Sequence, residues 1–362
     1  MTRKFSLKTA KGWITRLEKA FQRRFAFFLA LMVVGLILNE YALFGWNLSE
    51  WDPLLLSGEL TFIIALRLAF TIPPRVQETI HRLVHRGALQ LSPKQLENFT
   101  SKMESSAECW ADWTGIILGL LTLVAFLLGF GIKEALVGQP YFTFPAMIAA
   151  YFVGRLLGRI VLYGRLGSLL RTEKVSIRVQ PGHVDGAAGL KPVGDLYFYQ
   201  AMLVAIPALF LAVWWIIIPL IGRYTNWRDP YLFLLTAVLV FEILAFFLPM
   251  WTFHIEMQAQ KKQLLTEADN ISQRAAAIQA KIIQAGNEAA RKALKEEYEL
   301  IVERYWSIER MPTWPLDVKI RRQFAINNLA LFLPLISQVF KLSETWSNVL
   351  KEIQNILRNM PQ

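Results

Sequence analysis

Three ionisable side chains lie where lipid would make them costly. Arg67, Arg155 and Glu242 fall inside long apolar runs, seven residues before Pro74, eight before Tyr163 and eight before Met250. A carboxylate between two guanidiniums satisfies all three charges, whereas each alone in hydrocarbon costs about 3 kcal/mol or more. If the three helices point the same way, the spacing puts these groups at one depth, roughly 10–12 Å from the end of each run. Such a level reads as an ion-pair clasp that fixes helix packing. It also reads as a charged collar on an ion path, gated by breaking the clasp. Arg159, one turn nearer the boundary, is expected to snorkel towards headgroups.

A second constellation is His183, Asp185, Gly186 and Gly189 in the stretch PGHVDGAAGLKPVGD. Its glycines and prolines mean turns, and successive amides in such turns can nest a phosphate. The plainer alternative is a tight turn in which His183 caps backbone groups. There is no Walker lysine pattern and no G-x-G-x-x-G after a strand. Glu78, His81 and His85 form a third set, on one helical face at i, i+3 and i+7. Histidine and carboxylate are metal ligands. Arg82 and Arg86 flank the histidines, however, and a basic face touching lipid phosphate is the simpler account. No nucleophile elbow, kinase signature or zinc-protease motif occurs. The sequence therefore supplies no case for an enzyme or a cofactor.

The elements that must position these groups are apolar helices. The chain has 362 residues, 54% of them hydrophobic, and a mean hydropathy of +0.34. Uncharged runs near 20 residues match ~30 Å of hydrocarbon at 1.5 Å per residue. They read as spans at about 25–44, 113–132, 141–163, 197–221 and 231–250, with 53–74 as a weaker sixth carrying Glu59 and Arg67. The expected fold is all-α: a polytopic bundle of six spans with a long cytoplasmic helical, coiled-coil region. Counting 53–74 as a span puts 33 of 39 Lys/Arg on one side and 3 on the other, as the positive-inside rule requires. Both termini are then cytoplasmic. Trp46, Trp51 and Trp227 mark one interface; Trp110, Trp113 and Trp251 mark the other. The net charge of +11 is thus assigned to the membrane's inner face and not to nucleic acid. Cys109 is the sole cysteine, so no disulfide closes within the chain. The N-terminus reads as a retained first span, since no small-x-small cleavage site follows it.

Outside the spans, 1–24 is a basic amphipathic helix drawn to anionic headgroups. Loop 75–112 reads as two short helices, one ending near Gly87 and the next capped by Ser92 with Pro93 following. Loop 164–196 holds the glycine-rich turns. From 251 to about 306 a single helix is expected, part of a cytoplasmic region 251–311. Met257, Leu264, Ile271, Ile278 and Ala285 recur every seven residues, with a one-residue slip before Leu294. That seam serves either a neighbour in the same chain or an oligomeric coil. Pro312 and Pro315 break the helix. The uncharged segment 324–340, with Asn327, Asn328 and Pro334, reads as re-entrant or interfacial, or as a seventh span, before a terminal amphipathic helix. Gly115/Gly119 and Gly154/Gly158 allow close helix approach, and Pro207 should bend its span.

Residues 183–190, HVDGAAGL, resemble an H-P-D-G-x-G-G-L loop, and Pro312–Asp317, PTWPLD, resembles P-x-W-P-F-D. Both are similar to stretches in uncharacterised bacterial multi-pass membrane proteins. Val184, Ala188 and Leu316 depart from those patterns. The resemblance implies a bacterial inner (plasma) membrane, a functional role for the His183 loop and a final apolar segment that spans; it implies no activity. The expected function is a cytosol-regulated channel or membrane effector. A secondary transporter using the intramembrane charges and a non-conducting scaffold or sensor are the alternatives. The expected partners are anionic lipid, a second copy of the chain and a cytosolic protein.

Overall fold

A computed structural model describes residues 25–45, 70–133, 140–221 and 228–339 with a few gaps, together with single positions elsewhere, several of them in 53–68. The arm 1–24, apart from Ala20 and Arg23, and the terminal helix after 339 lie outside the described residues. Those described are all-helical. The elements are α1 (Phe25–Phe44), α2 (Ile72–His85), α3 (Pro93–Phe130), α4 (Pro140–Gly164) and α5 (Leu166–Thr172). They continue as α6 (Lys191–Ile217), α7 (Arg228–Gln284), α8 (Glu288–Glu309) and α9 (Val318–Val339). Among the described residues three helices are long and apolar enough to cross a membrane, namely Pro93–Val124, Lys191–Ile217 and Leu232–Gln284.

α3 starts where the sequence says it should. Ser92 accepts from Gln95 N, and the Gln95 side chain takes the Ser92 amide, a capping box with Pro93 in the first turn. The helix then runs 38 residues without a stop. The expected short helix before a separate span at 113–132 is therefore corrected: nothing between Pro93 and Phe130 breaks the ladder. Glycines let α4 lie directly on α3. A Cβ at Gly154 would strike the Thr114 carbonyl, and one at Gly158 would meet Thr114 Oγ1 and Trp110 O. Gly154 thus faces Gly115 across this contact, with Gly158 against Ala111 and Gly119 against Met147, as small-xxx-small spacing allows.

The helix expected at 251–306 is two helices. α7 ends at Gln284, residues 285–287 turn, and Asn287 restarts the chain by accepting from Ala289 N at 3.0 Å. α8 folds back along α7, with Ala268, Ile278 and Ile308 buried. Glu267 and Arg304 stand 3.7 Å apart, and Lys261 Nζ donates to Glu309 O at 2.8 Å and Met311 O at 2.9 Å. The heptad seam is used within the chain, and the one-residue slip in its phase marks the turn.

α9 runs beside α6 and α7. Leu331 packs in a cluster with Ala205, Ala208, Leu211, Leu235 and Leu239, about the middle of the apolar parts of α6 and α7. The described part of 324–340 is thus a helix inserted along the bundle. α6 continues through Pro207. Between α5 and α6 the chain is held by edges: Arg178 N donates to Ala88 O at 2.8 Å, and Val179 N to Gln260 Oε1 at 3.0 Å.

Candidate functional site

The antiparallel register set by Gly154 on Thr114 brings Arg155 and Arg159 opposite Asp112 and Glu108. Arg155 Nη2 donates to Glu108 Oε2 at 2.7 Å, and its Nη1 pairs with Asp112. Arg159 donates to Glu108 Oε1 through Nη2 at 2.8 Å and Nε at 3.1 Å. Among the described residues these two cations and two anions form one cluster, with Arg155 only 2% exposed. Arg159 is buried and paired, which corrects its expected snorkelling. Sequence reading missed Glu108 and Asp112 because it placed a loop there. The signal was present: acids at i, i+4 on one helix and arginines at i, i+4 on the other, each beside a glycine pair.

The expected clasp of Arg67, Arg155 and Glu242 is not formed. The Arg67 guanidinium lies over the Phe25 ring, 5.2 Å from its centroid. Glu242, on α7 and fully buried, accepts at Oε1 from Asn328 Nδ2 of α9 at 3.3 Å. Asn328 Nδ2 also donates to Phe324 O at 3.1 Å. Glu242 Oε2 and Asn328 Oδ1 are buried without hydrogen-bond partners, as are both amide atoms of Gln200 on α6. One turn along each helix, Phe246 stacks on Phe324 with centroids 4.0 Å apart. On the other side lie Leu235, Leu239 and Leu331. A polar pair is thus closed between an aromatic lid and an aliphatic floor.

The His183 loop is ordered around Asp185. Its Oδ1 accepts from Ala187 N at 2.9 Å and Gly189 N at 3.1 Å, its Oδ2 from Lys191 N at 3.4 Å, and Arg86 Nη1 stands 2.8 Å from Oδ2. His183 Nδ1 lies 3.0 Å from Oδ1. Gly186 and Gly189 adopt positive φ (68° and 87°), the conformation that turns these amides inward. Burial pushes the Asp185 carboxyl up, but the amides and His183 outweigh it and hold it below the usual carboxylate range. The nest anticipated for a phosphate is filled by the chain's own carboxylate.

The two stretches singled out by resemblance meet at the start of α6. Lys191 Nζ lies 2.7 Å from Asp317 Oδ2, and Asp317 caps α9 by accepting from Ile320 N at 2.8 Å. Pro315 O rests on Gly194 so closely that a Cβ there would collide. Trp314 stacks on His254 of α7 with centroids 4.3 Å apart, and His254 Nδ1 lies 2.7 Å from Thr313 O. Asp185, Lys191, Asp317 and His254 therefore tie α6, α7 and α9 together at one end of the bundle.

Glu78, His81 and His85 do not converge. Glu78 pairs with Arg82 at 2.5 Å and both histidines are exposed. Among the described residues no group of three His, Cys, Asp or Glu could hold a metal ion. Beside them, a cavity of about 260 Å³ opens between α2 and α6, lined by Arg75, Glu78, Thr79, Arg82 and Asp195. Cys109 is exposed and free. Compared with protein-family models, curated proteins and solved structures, the chain matches none.

Proposed function

We propose that this chain is a six-span inner-membrane protein with both termini cytoplasmic. In this reading α9 inserts from the cytoplasmic side, and the protein acts as a membrane effector, a regulated channel in its simplest form. The observation that carries the reading is α7, one helix from Arg228 to Gln284 shared by the bundle and the hairpin. α7 runs on through Pro249 as one helix of ~85 Å, and a continuous helix transmits a tilt that a jointed linker would absorb. The Asp185–Lys191–Asp317 knot supports the same reading, because it fastens α6 and α9 where the lever leaves the bundle. Charge asymmetry supports the orientation. A transporter is the second reading, favoured by buried polar groups at Glu242, Asn328 and Gln200.

Topology is tested in a Cys109→Ser background carrying Gln77→Cys. The new thiol should react with an impermeant maleimide only in inverted vesicles; labelling in right-side-out vesicles removes the six-span map. Regulation is tested by ion flux from proteoliposomes. Three glycines inserted after Ala259 should uncouple the hairpin and change the flux at least several-fold. Absence of flux under every ionic gradient removes the channel.

A further inference from the structure

We infer that Glu242 and Asn328 form a proton-binding site between α7 and α9, and that the packed arrangement is the proton-loaded one. Glu242 has a single bond, from an uncharged amide, and a second carboxyl oxygen with none. Asn328 likewise has a carbonyl oxygen without a donor. Two orphan acceptors in a buried slot are each costly, and an unpaired buried carboxylate is costlier still. A proton on Glu242 Oε2 removes the charge and creates a donor beside a residue that lacks one. One proton thus answers both deficits.

Among the described residues no neighbouring cation does this work. Arg155 and Arg159 on α4 are committed to Glu108 and Asp112. On α6, Lys191 is committed to Asp317, and Asp195 lies in the same first turns. On α9 the charged residues Lys319, Arg321 and Arg322 precede Phe324, beyond the aromatic lid. On α7 itself the nearest charged or titratable positions are Tyr231 and His254, about three turns away in each direction. The Phe246–Phe324 stack and Leu235, Leu239 and Leu331 leave little room for water to substitute. Loss of the proton would leave an anion facing Asn328 Oδ1, and the relief open to it is separation of α9 from α7. α7 carries the hairpin and Asp317 ties α9 to α6, so the site couples protonation to the proposed lever.

The test is infrared difference spectroscopy of the purified full chain in detergent, so its outcome is independent of topology. Wild type at pH ~7, where a carboxyl in water is ionised, should show a carboxylic-acid C=O band. Glu242→Gln should lose that band, and Asn328→Leu should shift it. If the glutamine variant fails to fold, Glu242→Asp should move the band instead. The inference fails if no Glu242-dependent acid band exists at neutral pH. It fails equally if the band appears only when sodium is withdrawn, since a metal cation would then be the resident.

Discussion

Two buried polar clusters sit in the same bundle and differ in their accounting of charge. Between α3 and α4, two arginines meet two carboxylates and the described pairs close on themselves. Between α7 and α9, one carboxylate meets one amide and two oxygens stay unsatisfied. Charges that answer one another across two helices hold those helices in register. An incomplete cluster needs a proton, or strain, or movement. The comparison sets a packing role for the first cluster beside the proton-binding role proposed for the second.

The comparison breaks most visibly at Arg155. Arg155→Leu leaves Glu108 and Asp112 short of a partner and should cost about 3–5 kcal/mol, read as a large drop in melting temperature in detergent. Replacing all four charges at once with Met, Met, Gln and Asn should cost far less; an equal loss would show that the cluster does more than pack. Gly154→Leu drives a side chain into the Thr114 backbone and should cost about 1–3 kcal/mol by the same melt.

Asp185→Asn should cost about 1–2 kcal/mol and raise amide hydrogen exchange at Ala187 and Gly189. Because the folded carboxyl lies below its ordinary value, its stabilisation is present above pH ~4 and is lost as pH falls through the folded value. Acid melts of wild type and Asp185→Asn should therefore converge; persistence of the gap would remove the carboxylate's role. Glu242→Gln should change stability by under ~1 kcal/mol at neutral pH, since glutamine imitates the protonated acid. A loss on the Arg155→Leu scale would mean that the charge itself is needed. The exposed Glu78–Arg82 pair sets the floor: Glu78→Gln should shift stability by less than ~0.5 kcal/mol.

Much of the fold was legible. Ser92 and Pro93 announce the start of α3, and the glycine pairs announce that their helices can approach closely. The phase slip before Leu294 is also readable; within one helix it is a drift in phase, while Gly286 and Asn287 make it a hairpin turn. The site was less legible. Depth along a span was used to pair Arg155 with Glu242, yet depth says nothing about which faces of which helices meet. In the sequence Asn328 is polarity that weighs against a membrane span; in the structure it is the partner of Glu242. The two stretches resembling P-x-W-P-F-D and the H-P-D-G loop were noted apart, and Lys191 joins them.

Composition and periodicity alone determine that this chain is helical and apolar enough for a membrane, because burial of a continuous uncharged helix is a local property of some 20 residues. Caps and turns are local in the same way. Which charge meets which is not local. It depends on rotation and register between helices far apart in sequence, and those are settled by glycine contacts and aromatic stacking in three dimensions. Tertiary packing therefore gave Arg155 two carboxylates and left Glu242 with an amide.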